Sequence, residues 1–309
     1  MFSHLWVDMM ERLGLDPEVI ECRWGTGADE DRMEEALRAD TGHKIRAVCV
    51  VQNETTTGVY SDVARIRSVL DKLGHPALLM VDGVSSIGAL EFDMDAWKVD
   101  VAVTGSQKAL SIPTGLALVC ASDKALGAMK TAKLKRCYYD FADMLKTNPS
   151  GSVPYTPSLP LLFGMRESVA LLREEGRGNL VARHRRLAEG TRAAVRAWGL
   201  ELLCKVPRWY SDALTVVEVP KHVDSNDVVR NAYAKYNLSI GVGLAKVNGK
   251  VFRIGHLGNM DEVSLLGALG GVEMAMRDAG YTDFTPGAGV GAAVAHFQGE
   301  SRVLPGRAL

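Results

Sequence analysis

Asp82 and Lys108 are the residues whose types and surroundings best suit chemistry. Asp82 closes the apolar run "PALLMVD" (76–82), and Lys108 sits in "VTGSQKALSIPTG" (103–115), just past the run "VDVAVTG" (99–105). If both runs are strands of one sheet, the carboxylate and the amine open at its carboxyl edge, where α/β sheets present ligand-binding groups. A pair so placed suits pyridoxal phosphate. The lysine forms a Schiff base with the aldehyde, and the carboxylate keeps the pyridine nitrogen protonated so that the ring accepts electrons. Spacing alone leaves a second reading open, since many α/β proteins carry a strand-end aspartate and a later loop lysine without that chemistry.

The elements that must position this pair are short apolar runs alternating with longer amphipathic stretches, the pattern of an α/β domain with a mainly parallel sheet. "KIRAVCVVQ" (44–52) reads as a strand, "YSDVARIRSVLDKLG" (60–74) as a helix and 76–82 as the next strand, which makes one βαβ unit. Residues 99–105 and "GLALVCAS" (115–122) are expected to add two more buried strands. "SDKALGAMK" (122–130) starts a helix with Ser122 as its N-cap, and 157–197 is mostly helical. Gly176 and Gly178 punctuate that stretch and place the domain boundary. Beyond it, 214–220 and 250–255 read as strands, with 225–237 and 261–280 as helices. The expected division is a large domain over 1–176, a smaller α/β domain over 177–283 and a glycine- and alanine-rich flexible tail over 284–309.

A chain of 309 residues, 47% hydrophobic, can bury a substantial core in one large domain or two unequal ones. The formal net charge of −1 advertises no basic surface for nucleic acid or anionic lipid, which leaves small-molecule work as the expectation. No apolar run reaches the roughly 18 to 20 residues that span a bilayer. The start "MFSHLWVDMMERLG" lacks the order of a secretion signal, so a soluble intracellular protein is expected. Cys22, Cys49, Cys120, Cys137 and Cys204 are widely spaced, without a CxxC pair or a ligand-like His/Cys cluster, and read as free structural thiols with no metal site.

The strings themselves carry a resemblance. Residues 81–122, "VDGVSSIGALEFDMDAWKVDVAVTGSQKALSIPTGLALVCAS", are similar to the core of the class V, fold type I aminotransferases, in particular the serine–glyoxylate and alanine–glyoxylate aminotransferases. The likeness continues through "QNETTTGV", "PYTPSLPLLFGMRESVALLREEG", "NLVARHRRLAEGTRAAVRAWGL" and "GKVFRIGHLGNM", in family order, and covers all but the C-terminal tail. It implies a large domain with a mainly parallel, seven-stranded-type sheet plus a smaller C-terminal α/β domain, with pyridoxal phosphate as cofactor. Lys108 is then the Schiff-base lysine, Asp82 the partner of the pyridine nitrogen, and Val84 the residue packed under the ring. Gln107 donates to the cofactor phosphate. Thr55 offers its hydroxyl to the phenolic oxygen, although a Thr-rich turn before glycine is otherwise only a turn. Phe2 stacks on the pyridine ring; without the resemblance it is a frayed terminus. Thr156 reaches the phosphate of a neighbouring subunit's cofactor, which implies a homodimer with composite active sites. Arg253 grips the substrate α-carboxylate through two parallel hydrogen bonds; read alone, an arginine in an apolar strand suits a structural ion pair equally.

The implied activity is ping-pong transamination of small amino and oxo acids. Serine or alanine donates to glyoxylate, giving hydroxypyruvate or pyruvate and glycine, and likeness to plant-type photorespiratory sequences favours serine. The family carries a further segment ahead of the point where this chain begins, including the loop at a helix N-terminus that cradles the phosphate. Activity is therefore expected of a longer chain, and the large domain here of being incomplete. Val153 stands where relatives often carry an aromatic residue. Two rival functions are an inactive relative serving as a dimerisation partner and a cysteine desulfurase. The latter needs a mobile nucleophilic cysteine, for which Cys204 at the end of an apolar run is badly placed. Family analogy suggests a peroxisomal enzyme, with mitochondrion or cytoplasm as alternatives; "SRV" (301–303) is followed by six more residues and is no C-terminal address.

Overall fold

The computed structural model describes residues 1–299, so the "SRV" tripeptide lies outside the described residues. Helices α1 (Phe2–Arg12) and α2 (Glu30–Ala39) precede strand β1 (Ala47–Val51). A small hairpin of β2 (Asn53–Glu54) and β3 (Val59–Tyr60) leads into α3 (Val63–Leu73), followed by β4 (Leu78–Asp82), β5 (Val101–Gly105) and β6 (Ala117–Ala121). The βαβ unit expected from the periodicity is β1–α3–β4. The apolar residues of α3 recur at helical spacing, so Val63, Ile66 and Leu70 fall on one face and bury in a common core with Leu79 and Val81 of β4. Asp62 starts the helix by accepting from Arg65 N, and Gly74, at φ +58°, ends it in the left-handed conformation. Met33 and Leu37 of α2 join the same core.

The sheet order is β1-β4-β5-β6. β1, β4 and β5 are parallel neighbours, whereas β6 returns antiparallel to β5. The mainly parallel sheet is the expected one. One expectation is corrected: β6 is an edge strand with Val119 and Cys120 exposed rather than a buried one. The physical reason is the short connection through residues 106–116, which turns the chain straight back and leaves no length for a covering crossover.

Helix α4 (Asp123–Met129) follows, with Ser122 capping it through Ala125 N as predicted. After α5 (Phe141–Thr147) come α6 (Leu159–Glu175) and α7 (Arg177–Ala197), separated by Gly176. The rest comprises β7 (Glu201–Leu202), β8 (Leu214–Glu218), α8 (Ser225–Tyr236), β9 (Gly241–Val242), β10 (Val251–Gly255), α9 (Glu262–Asp278) and α10 (Ala288–Gly299). The second sheet, β7-β8-β10-β9, is wholly antiparallel. Its core joins Leu187 and Trp198, Val217 of β8, Phe252 and Ile254 of β10, Leu265 and Leu269 of α9 and Phe297 of α10.

Helix α10 corrects the expected flexible tail over 284–299; the rest of that stretch lies outside the described residues. Glycine and alanine at Gly289 and Ala293 are what let this backbone close on its neighbours, since a Cβ on Gly289 would stand 2.2 Å from Trp198 Nε1. The buried Glu273 carboxylate fastens the approach by accepting from Trp198 Nε1 (2.9 Å), Gly287 N (2.6 Å) and Gly289 N (2.7 Å). Among the described residues no helix is long and apolar enough to cross a membrane, and no three His, Cys, Asp or Glu side chains group as a metal site.

Candidate active site

The carboxyl ends of β1, β4 and β5 bring three segments together, because Val51 pairs with Asp82 and Asp82 with Val103 in register. The ladder runs on past the strands through Gln52 N to Asp82 O (3.0 Å) and Gly83 N to Val103 O (2.9 Å). Side chains then lock the loops that leave this edge. Ser85 donates from Oγ to Asn53 O (2.8 Å), Asn53 Nδ2 donates to Ser85 Oγ (3.0 Å), and Thr55 Oγ1 donates to Ser85 Oγ (2.9 Å). Ser86 Oγ donates to Gln52 Oε1 at 2.6 Å. The hairpin bearing Thr55 is thereby pinned to the loop bearing Asp82 and Val84. Asn53, Ser85 and Ser86 are buried, and sequence reasoning missed them. The signal was a polar cluster at two strand ends, "QNETTT" and "VSS", that had no other reason to be there.

Asp82 is half-buried and accepts one hydrogen bond, from Val84 N at 2.9 Å. Burial pushes its carboxyl pKa up, and the nearby charge of Glu54 adds to the rise, against the stabilising Val84 N–H. No cation pairs with it among the described residues. Lys108 is half-buried in the turn after β5, and neither a hydrogen bond nor an ion pair engages its amine among the described residues. That turn is tightly built. Ser106 Oγ donates to Pro113 O (2.8 Å) and accepts from Leu116 N (3.2 Å), and Ser168 of α6 donates to Leu110 O (2.5 Å). Gln107 is exposed beside the lysine.

Arg253 comes from the other sheet. It donates from Nε to Val242 O (2.8 Å) and from Nη1 to Thr55 O (3.1 Å). Burial pulls its pKa down while the charge of Glu54 opposes the fall. No carboxylate pairs with it among the described residues, so the ion-pair alternative is not the one that forms. Three of its five N–H bonds remain unspent. Phe2 is brought beside the same hairpin, because Glu54 accepts from Ser3 N (3.3 Å) and pairs with the Met1 amine (3.2 Å). Thr156 is the site residue the single chain does not bring in: it is exposed on the loop before α6. A cleft of about 190 Å³ lined by His4, Cys22, Trp24, Cys49 and Glu54 lies on the α1 side of the hairpin, away from Lys108.

These groups fit pyridoxal phosphate. A half-buried carboxylate with one backbone donor and no cation is suited to a protonated ring nitrogen, and an unpaired amine on the adjoining strand end to an aldehyde. Cys204, by contrast, is buried, its thiol donates to Val206 O (3.6 Å), and burial pushes its pKa up, so it is no mobile nucleophile.

Solved transaminases share this fold. The structure superposes on the ureidoglycine–glyoxylate aminotransferase of Bacillus subtilis with a TM-score of 0.87 at 27% identity, covering 96% of this chain and 76% of that one. The architecture is that of the pyridoxal phosphate-dependent transaminases of fold type I. The chain belongs to the class-V aminotransferases, whose family model matches residues 3–246, and its cofactor is pyridoxal phosphate. It is 53% identical over 302 residues to the serine–glyoxylate aminotransferase of Methylorubrum extorquens, covering 96% of this chain and 75% of the relative. It is 52% identical over 307 residues to that of Arabidopsis thaliana, covering 99% and 76%.

Proposed function

We propose that the chain transfers the amino group of serine to glyoxylate, giving hydroxypyruvate and glycine, with alanine as the alternative donor. The observation that carries this reading is Arg253, whose guanidinium spends itself on two backbone carbonyls, meets no carboxylate of the described residues and keeps N–H bonds free beside Thr55. A planar fork so prepared suits a substrate α-carboxylate. The serine–glyoxylate aminotransferases at 53% and 52% identity support the choice of donor and acceptor.

Bound pyridoxal phosphate supplies an aldehyde that takes up the amino group and a ring that accepts the electron pair left when the α-proton departs. Lys108 would hold the cofactor through its amine and would carry the α-proton as base and then as acid. Asp82 would keep the ring nitrogen protonated, and its burial strengthens the attraction because a low local dielectric screens opposite charges less. Val84 and Phe2 would help to hold the ring. Thr55, whose hydroxyl is held by Ser85, would serve the phenolic oxygen, and Gln107 would donate to the phosphate. The enzyme is a homodimer with composite sites, Thr156 reaching the neighbour's phosphate. Exposed Leu159, Leu162 and Phe163 on α6, with Tyr138 and Tyr139 before it, support this as an apolar face for a second copy.

The test is hydroxypyruvate formation from serine and glyoxylate by the purified, cofactor-loaded protein, beside alanine and aspartate as donors. Serine is expected to be preferred. Equal rates with all three would reject the donor assignment, and no transfer to glyoxylate from any of them would reject the activity.

A further inference from the structure

His184 of α7 has no exposed surface, and its two ring nitrogens face groups of fixed polarity. The Leu180 carbonyl, 2.8 Å from Nδ1, can only accept, and the Gly258 N–H, 3.0 Å from Nε2, can only donate. The ring is therefore the neutral tautomer with its proton on Nδ1. Burial holds it neutral, pulling its pKa to about 4. Arg183, the preceding residue, donates from Nη1 to Gly258 O (2.8 Å) and Met260 O (2.9 Å). A two-pronged pair with Glu175 at the end of α6, at 2.6 and 2.9 Å, anchors it.

The loop so held, residues 256–260, begins where β10 has just delivered Arg253. Its other side grips the lysine turn. Asn259 N donates to Ser111 Oγ (2.9 Å), and Ser111 N donates to Lys108 O (2.9 Å). Gly258, at φ +87°, permits the approach, since a Cβ there would stand 2.6 Å from Ser111 Oγ and 3.4 Å from Lys108 O. A continuous set of bonds thus runs from α7 through the loop after Arg253 to the backbone of Lys108.

We propose that His184, Arg183 and Ser111 are positioning residues that clasp the loop after β10 to the lysine turn, so that the carboxylate-binding Arg253 and the amine of Lys108 keep a set separation. The proposal rests on the reading of those two residues given above. None of the three clasping side chains needs to touch substrate; they act through the geometry of the two that do, and small misplacements of reacting groups are costly.

Ser111→Gly tests this without threatening the fold. Ser111 sits at φ +56°, a conformation glycine adopts freely, so the variant removes the hydroxyl while relieving the backbone and keeps its melting temperature. In the cofactor-loaded enzyme, kcat/KM for serine should fall about five-fold, mainly through KM, the worth of one hydrogen bond. The pH midpoint of the cofactor's visible absorption band should shift, and amide exchange over residues 106–112 should quicken. His184→Phe fills the space but leaves the Gly258 N–H unpaired and should do the same, with His184→Gln, which restores an acceptor, recovering part of the loss. Parental exchange, KM and midpoint in Ser111→Gly would overturn the clasp whatever His184→Phe does. If the parent itself fails to transaminate serine, the proposed function falls, while the exchange measurement still decides the clasp.

Discussion

Arg253→Lys separates a guanidinium grip on the substrate from a mere positive charge. The structure fixes the starting point: Nε and one Nη1 hydrogen are spent on Val242 O and Thr55 O, so the remaining edge can give a carboxylate two parallel bonds. Lysine keeps the charge but presents no fork, and its ammonium must also serve whichever carbonyl it still reaches. A charge-assisted hydrogen bond is worth about 1.5 kcal/mol at the low end, so two lost bonds come to about 3 kcal/mol, or about 150-fold in kcat/KM. The assay compares serine with ethanolamine, which lacks the α-carboxylate. The parent should prefer serine by at least that factor, and the variant should lose most of the preference because its rate with serine falls while its rate with ethanolamine barely changes. If Arg253→Lys retains the preference, or loses rate equally with both amines, the carboxylate is held elsewhere and the assignment of Arg253 fails.

Lys108→Ala should give a protein without the visible band that the lysine-bound cofactor produces and with its transamination rate down by at least about 10²-fold, read by absorbance and coupled assay. Asp82→Asn should lower kcat by about 10²- to 10³-fold. Because burial raises the folded pKa of Asp82, its ionised form costs stability above that pKa, so the cofactor-free variant should melt no lower than the parent at neutral pH; a lower Tm would mean the carboxylate is already paired. His184 and His256, chiefly through burial, have pKa values pulled down to about 4 and about 3 from 6.5, so the unfolded chain binds protons there that the folded chain does not. Stability is therefore present above about pH 6.5 and is lost as pH falls toward 4, and the urea midpoint should drop between about pH 7.5 and about pH 5, with no drop counting against two neutral buried rings. Gly289→Ala forces a methyl into Trp198 and should cost about 1–3 kcal/mol, seen as a fall of several degrees in Tm without a change in KM.

Some of this was legible before any coordinates. The strands ending at Asp82 and Gly105 announce themselves as short apolar runs, and α3 by apolar residues recurring at helical spacing. Helix α10 was not legible, because a stretch of glycine and alanine shows no amphipathic period. Its stability comes from Trp198 and Glu273, which no local window contains. Nor was the exposure of β6, which depends on what lies against the sheet edge and not on the apolar run itself.

The site divides along the same line. Sequence alone determined that a carboxylate and an amine each follow an apolar strand, because hydrophobic period and strand-end position are properties of a few consecutive residues, whereas the pairing of β4 with β5 made those strands neighbours. Tertiary structure alone decided whether Arg253 would meet an acid or stay available, since its acceptor at Thr55 lies 198 residues away. It likewise decided that His184 would serve the loop beyond β10. A polar group's partner is set by closure of the whole chain, and burial makes that choice binding because an unmatched donor in the interior costs more than a local propensity can return.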